Sequence, residues 1–172
     1  PVTLMDIREA ISAEHSKRQT MAIVDYIGGD PDRFAELMKI FFEGVYRPTQ
    51  RSAWPMSVCA EKHPELIEPY VGKLVDQLPR SDVHNAVKRN VLRLLQFVEI
   101  PRRLEGKVYS LCLDLISDPN EMIGIHAFSI TVAAKIAAGK PDLIDELRLV
   151  IKENLKRTSP GIRVRLRNIM PV

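Results

Sequence analysis

Four short segments decide the fold: PDRF at 31–34, PELI at 64–67, PRRL at 101–104 and PDLI at 141–144. In each segment a charged residue follows the proline, and an apolar residue then opens a periodic run. Proline suits the first position of a helix, because its missing N–H would have no partner there and its φ is already set. The four prolines are 33, 37 and 40 residues apart, a spacing typical of two-helix solenoid repeats. We therefore expect each proline to begin the second helix of one repeat.

The candidate first helices lie between these segments, and two of them are apolar on most sides. Residues 53–60 and 122–137 contain few polar side chains, so each segment needs neighbours on both flanks. No segment shows the alternation of a strand bounded by turn residues. The sequence thus predicts an all-α chain, an α-α superhelix of about four helix pairs plus a terminal helix. The predicted first helices are 16–28, 50–62, 82–98 and 121–138, and the predicted terminal helix is 160–170.

The continuity of two helical segments can be predicted from the sequence. The segment from Leu66 to Leu78 has the clearest helical rhythm in the chain, which predicts one helix with one buried face. For Pro55 two alternatives remain open. If Ser52 is the N-cap, Pro55 lies in the first turn; if the helix begins earlier, Pro55 lies inside it and disturbs it.

The size of the chain favours a single domain over residues 1–172. Residues 1–28 lack a repeat proline and are predicted to be the N-terminal cap that a solenoid needs. No apolar run approaches the roughly 20 residues that cross a bilayer, and Pro1 to Arg8 do not resemble a secretion signal. The sequence therefore predicts a cytoplasmic protein with no membrane partner.

The repeat pattern resembles the HEAT and armadillo-like repeat proteins over roughly residues 15–170. In addition, the segments 51–54, 125–130 and 163–167 resemble a family of small uncharacterised bacterial HEAT-repeat proteins, chiefly from Bacteroidetes. Some members of that family are labelled adenylosuccinate lyase. The serine-bearing signature loop of the true lyases is not found in this chain, so the resemblance implies a HEAT-like solenoid and transfers no lyase residue.

Motifs for catalysis, cofactors and metals are not found. There is no HExxH, no Gly-rich phosphate loop, no GxSxG elbow and no EF-hand pattern. Cys59 and Cys112 lie among apolar neighbours without CxxC spacing, which predicts buried free thiols. The sequence thus predicts no catalytic, metal or cofactor site. The four histidines are scattered along the chain. We expect His126 to be a packing residue, and His15, His63 and His84 to be ordinary surface or terminal residues.

Trp54 and Asp114 each allow two interpretations. Trp54 could stack on nucleic-acid bases, but its apolar neighbours favour a core position. Asp114 lies in an otherwise apolar helix, and HEAT-like DNA alkylation-repair glycosylases carry an aspartate in their groove. A solvent-facing position on an amphipathic helix is the favoured interpretation for Asp114.

Basic residues form the main candidate binding surface. The net charge is +3; the first 79 residues are slightly acidic, and the remaining residues are basic. If corresponding helices align, four arginines would share one surface for phosphates or an acidic patch. Alternatively, these charges only keep the chain soluble, since the aromatic interleaving of a dedicated nucleic-acid binder is missing. The candidate surface comprises Arg89, Arg93, Arg163 and Arg167.

Three functions follow in decreasing order of support. The first is a non-catalytic scaffold that binds another protein. The second is nucleic-acid binding through the basic C-terminal half, related to the alkylation-repair glycosylases, and salt-sensitive DNA binding would distinguish it. The third is an enzyme, which would need a pocket of coupled titratable groups.

Overall fold

The computed structural model describes residues 4–154 and 159–169, and in these residues it contains helices and no strands. This confirms the all-α prediction. Met170, the last residue of the predicted terminal helix, lies outside the described residues. The helices are α1 (Ile7–Ala13), α2 (Lys17–Ile27), α3 (Pro31–Phe42), α4 (Tyr46–Lys62), α5 (Pro64–Ile67), α6 (Val71–Val75), α7 (Asn85–Leu95), α8 (Arg102–Ser117), α9 (Ile123–Ala137), α10 (Pro141–Asn154) and α11 (Pro160–Ile169), and a 3-10 turn (Glu68–Tyr70) follows α5.

The chain forms two compact units, residues 1–99 and residues 100–172. We call them the N-terminal unit, which contains α1 to α7, and the C-terminal unit, which contains α8 to α11. The boundary falls inside the predicted third repeat, between its two helices. The single domain over 1–172 and the capping role of residues 1–28 stay predictions.

Side-chain caps fix the first three helix starts. Asp6, Ser16 and Asp30 each accept a backbone N–H from the following turn, at 2.9, 3.1 and 2.9 Å. Each such cap stabilises a helix start by about 1 kcal/mol.

In the N-terminal unit α4 is central, because it packs against α1, α2, α3, α5 and α7.

The proline prediction is confirmed for three of the four helices. Pro31, Pro64 and Pro141 are the first residues of α3, α5 and α10. Pro101 differs, because it lies one position before α8 with φ −52° and ψ 133°. Its carbonyl accepts the Leu104 N–H at 2.7 Å. Proline's fixed φ is compatible with this extended capping position as well as with the first helical position.

The continuous helix predicted over residues 66–78 is wrong. The segment is divided into α5, the 3-10 turn and α6. Pro69 lies in the turn, where it has no N–H for the carbonyl of Glu65, and its ring would crowd that carbonyl in an α-helix. The Val71 N–H instead donates to the Glu68 carbonyl, which is the tighter 3-10 pattern. The apolar rhythm therefore predicted the buried face correctly but not the break.

Helix α4 settles the alternatives for Pro55. The helix begins at Tyr46, before the predicted start at residue 50, and Pro55 lies inside it. Ser52 is buried and is not the cap, since its hydroxyl donates to the Thr49 carbonyl at 2.9 Å. Pro55 therefore interrupts the hydrogen-bond ladder of an established helix.

In the C-terminal unit, α8 and α9 pack together most extensively, and α10 covers both. The Tyr109 hydroxyl donates to the Leu143 carbonyl at 2.6 Å and so links α8 to α10. His126 is 7% exposed, and its Nε2 lies 2.9 Å from the Asp118 carbonyl oxygen. This confirms His126 as a satisfied packing residue.

We expect Tyr109→Phe to lower the free energy of unfolding by about 1–2 kcal/mol near neutral pH, since the buried hydrogen bond is lost. Burial, and secondarily the charge of Glu146, raise the pKa of Tyr109 to about 12, above the roughly 10 of an unfolded chain. The contribution of the neutral phenol is therefore fully present below about pH 10 and is lost as the pH rises through about 12. Urea unfolding of both proteins from about pH 8 to 11 checks this. A difference that stays constant across the range would contradict it.

A second prediction concerns Ser129 on α9. The residue is fully buried, and its hydroxyl has no hydrogen-bond partner among the described residues. Because an unpaired buried hydroxyl is costly, we expect Ser129→Ala to raise the free energy of unfolding by about 1 kcal/mol. Thermal unfolding measures the change, and a lower midpoint for Ser129→Ala would mean that the hydroxyl is paired in solution.

Candidate functional site

A cavity of about 190 Å³ lies in the N-terminal unit, where the α3–α4 loop meets the segment that precedes α7. We call it the Tyr46 pocket. Polar and apolar groups both contribute to its wall. The pocket is lined by Phe41, Phe42, Gly44, Tyr46, Thr49, Gln50, Gln77, Arg80, Asp82, Val83, His84 and Val87.

The α3–α4 loop is held in place on both sides of Gly44. Gly44 has φ +74°, a left-handed conformation that other residues adopt only at a cost. On one side, Arg8 of α1 pairs with Glu43 at 2.5 Å. On the other, the Val45 carbonyl accepts the Thr49 N–H at 2.9 Å and opens α4. The loop therefore presents Tyr46 from the first position of a helix.

Tyr46 and His84 form the aromatic rim of the pocket. Tyr46 is 64% exposed, and its ring meets the His84 ring edge-on with centroids 5.8 Å apart. His84 caps α7, because its Nδ1 accepts the Ala86 N–H at 3.0 Å. An accepting Nδ1 requires neutral imidazole with the proton on Nε2. The rim thus carries a ring N–H donor and a phenol.

The two charged residues of the pocket are paired with each other. Arg80 donates from Nε and Nη2 to both Asp82 carboxylate oxygens, at 2.9 and 2.5 Å. Its Nη1 donates to Gln77 Oε1 at 3.2 Å. The hydrogen bond from Arg80 holds the pKa of Asp82 below its usual value. The pair therefore brings no net charge to the pocket wall.

Apolar side chains from α3 and α7 also contribute to the pocket wall. Phe41 and Val87 are 2% and 1% exposed, and the ring of Phe42 meets that of Phe41 edge-on at 5.1 Å. One polar group here is unsatisfied, since the shielded Oγ1 of Thr49 has no hydrogen-bond partner among the described residues. The pocket is thus electrically neutral, and apolar side chains line it together with hydrogen-bonding groups.

The structure gives Arg89 and Arg93 of α7 different surroundings. Arg89 is exposed. Arg93 is engaged within the unit: its Nη2 pairs with Glu61 of α4, its Nη1 donates to Ser57 Oγ at 3.3 Å, and its guanidinium lies over the Phe97 ring at 5.4 Å. Arg93 therefore joins α7 to α4.

Arg93 ends a buried polar network that sequence reasoning missed. Ser57 Oγ lies 3.0 Å from both the Trp54 carbonyl and Asn90 Oδ1, and Asn90 Nδ2 donates to the Ala86 carbonyl at 2.8 Å. Ser57 is fully buried and Asn90 is 8% exposed. The available signal was a serine within the otherwise apolar segment 53–60. Satisfied buried networks of this kind specify how two helices fit together.

Arg163 and Arg167 lie in the C-terminal unit, on one face of α11, and both are exposed. Both arginines line an open groove of about 650 Å³, together with Pro160, Val164 and Leu166. The candidate arginines are thus divided between the two units, and the single surface formed by all four stays a prediction.

The comparison with protein families decides the identification. A family model described as a HEAT repeat domain matches residues 7–171, which include parts of both units and all four proline segments. The chain belongs to the HEAT repeat family. Neither the curated proteins nor the solved structures gave a match. The resemblance to HEAT proteins is thereby confirmed, whereas the narrower bacterial resemblance stays a prediction.

In this HEAT repeat protein the core position predicted for Trp54 is wrong. Trp54 is only half-buried, and its ring meets the exposed His15 edge-on at 6.1 Å. The buried stripe of α4 is occupied by Ala53, Met56 and Ala60, which follow helical spacing. Trp54 lies beside that stripe, so neighbouring helices cover it only in part.

The remaining candidates lie as the sequence predicted. Asp114 is exposed on α8 of the HEAT repeat protein. Cys59 and Cys112 are buried free thiols, and burial raises the pKa of each to about 12.

No helix in the described residues has the length and apolar character to span a membrane, and no cluster there offers three side chains for a metal ion.

Proposed function

We propose that this HEAT repeat protein is a non-catalytic scaffold that binds another protein at the Tyr46 pocket. Repeat proteins of this class bind partners through surfaces built by successive helices. Binding, rather than catalysis, suits a pocket whose charged residues, Arg80 and Asp82, are already paired with each other.

One observation carries this proposal: Tyr46 is 64% exposed beside a pocket that is lined by both apolar and hydrogen-bonding side chains. Tyrosine and arginine are enriched among the residues that dominate protein–protein binding energy, and such residues surround pockets that a partner fills. Val45, next to Tyr46, is 54% exposed and lies outside the pocket lining. The rim thus offers an aromatic anchor to a partner.

Photo-crosslinking in extracts of the source cells tests the proposal. Position 46 receives p-benzoylphenylalanine, and a second protein carries it at Leu149, which is similarly exposed but lies in the C-terminal unit. We expect a discrete adduct from position 46 only, abolished by excess unlabelled protein. The captured protein is then purified, and its binding to the wild-type chain is measured by calorimetry. Adducts that unlabelled protein does not compete, or a purified candidate that does not bind, would overturn the proposal.

The nucleic-acid alternative makes a separate prediction. We expect no micromolar binding to duplex DNA or single-stranded RNA at about 150 mM salt, because the four candidate arginines are divided between the two units and Arg93 is paired with Glu61. Arg163 and Arg167 lie on one face of α11. Fluorescence anisotropy at low and physiological salt measures this. Steeply salt-dependent binding that Arg163→Ala/Arg167→Ala removes would favour the nucleic-acid function instead.

A further inference from the structure

We infer that His84 makes the Tyr46 pocket sensitive to pH, because protonation of its imidazole releases the cap of α7 and moves the ring away from Tyr46. This inference deepens the proposed function by naming a regulation of the same site, and it rests on that function for the effect on partner binding. The change in the cap itself is independent of any partner.

His84 links the start of α7 to the rim of the pocket through two contacts of one ring. Its Nδ1 accepts the Ala86 N–H at 3.0 Å, and its ring meets the Tyr46 ring edge-on with centroids 5.8 Å apart. The first contact sets the orientation of the imidazole, and that orientation places the ring against Tyr46. A change that removes the cap therefore also frees the rim.

Protonation of His84 is incompatible with this cap. An imidazolium ring carries a proton on both nitrogens, so Nδ1 becomes a donor and would face the donor N–H of Ala86. The positive charge would also lie at the positive end of the α7 helix dipole. The ring therefore has to rotate out of the capping position when it takes up a proton.

The charged and titratable groups that line the pocket do not compensate an imidazolium. The α4 side contributes the Tyr46 phenol, and the segment before α7 contributes Arg80 and Asp82. Both Asp82 carboxylate oxygens already accept hydrogen bonds from Arg80. His84 is half-buried and therefore open to water, and histidine changes its charge between about pH 5 and 8. The cap is thus present at neutral pH and is lost as the pH falls through this range.

Groups just outside the lining do not change this balance. Glu43, in the α3–α4 loop, is already paired with Arg8 of α1. Lys88 follows His84 by four residues on α7 and adds a further cation. A positive charge on the imidazole therefore gains no carboxylate that is not already paired.

The contacts of two other histidines tolerate protonation. His63 Nδ1 lies 3.4 Å from a carboxylate oxygen of Glu65, and His126 Nε2 donates to the Asp118 carbonyl at 2.9 Å. An imidazolium keeps both contacts, since its nitrogens are donors and both partners are acceptors. Of these three histidines, His84 is therefore the one whose contact is lost in acid.

An NMR titration of the full-length chain from about pH 8 to about pH 5 tests this inference without any partner protein. The imidazole signals of His84 report protonation, the backbone amide of Ala86 reports the cap, and the ring signals of Tyr46 report the rim. We expect all three to shift with one common midpoint, and the Ala86 amide proton to move upfield as its hydrogen bond is lost. The amide of Val91, which is fully buried in the middle of α7, should stay unchanged and so show that the helix remains folded.

Two variants make the result specific to His84. Asparagine is a strong N-cap that does not titrate, so in His84→Asn the Ala86 and Tyr46 signals should stay constant across the range. His15 is the matched control, because its ring also meets an aromatic ring, that of Trp54, edge-on. His15→Asn should keep the wild-type response. An Ala86 amide that does not follow the His84 imidazole, or a response that persists in His84→Asn, would overturn the inference.

The effect on binding is measured by crosslinking in extracts at about pH 7.5 and about pH 5.5. Here p-benzoylphenylalanine replaces Val45, so that Tyr46 keeps its contact with His84. We expect the competed adduct to fall at least about threefold at the lower pH with His84 present, and by less than about 1.5-fold in the His84→Asn background. An equal fall in both backgrounds would overturn the regulatory role. If no adduct forms at either pH, the proposed function fails while the NMR titration still decides the cap, so the two failures are distinguishable.

Discussion

Replacing Phe41 by alanine is expected to lower the free energy of unfolding by about 3–5 kcal/mol. Phe41 is 2% exposed on α3, and its ring packs edge-on against Phe42 while also forming part of the pocket wall. Truncation removes the ring from a close-packed interior and leaves a cavity that the surrounding helices fill only in part. The same residue thus supports both the core and the shape of the Tyr46 pocket.

Urea unfolding measures this effect, with Phe42→Ala as the matched control. Phe42 has the same side chain on the same helix but is only half-buried, so we expect a cost of about 1–2 kcal/mol. A loss of similar size for both variants would mean that α3 does not bury Phe41 as described. A loss below about 1 kcal/mol for Phe41→Ala would contradict the packing of this helix.

Helix starts were predictable from the sequence because proline acts locally. Pro31, Pro64 and Pro141 begin helices, since a fixed φ and a missing N–H have the same consequence in any fold. The break at Pro69 has the same local cause, because a proline inside the apolar rhythm of residues 66–78 cannot donate the backbone hydrogen bond of a continuous helix. Local chemistry therefore predicted the helix starts, except at Pro101, which lies one position before α8.

The Tyr46 pocket was not predictable in the same way. Its wall joins the α3–α4 loop to Arg80, Asp82 and His84, which are more than 30 residues away along the chain. No pattern within one segment shows that these groups meet. Arg93 gives a parallel case, because its pairing with Glu61 depends on how α7 packs against α4. Sequence reasoning therefore found the repeats but could not distinguish a structural arginine from a binding one.

Replacing Tyr46 by alanine is the second change with a large expected effect. Tyr46 contributes little to the core, since it is 64% exposed at the first position of α4. Its removal should therefore leave the fold intact and take away the aromatic rim of the pocket. Truncation of a central tyrosine in an interface costs about 2 kcal/mol or more, which corresponds to roughly 30-fold in Kd.

The most direct test of the account is the Kd of the crosslinked and purified partner for three proteins, wild type, Tyr46→Ala and Val45→Ala, measured by calorimetry. Val45 is the matched control, because it is an exposed neighbour that does not line the pocket. We predict that Tyr46→Ala raises the Kd about 30-fold and that Val45→Ala changes it by less than about threefold. A Tyr46→Ala protein that binds as tightly as the wild type would contradict the central claim that this pocket is the binding site.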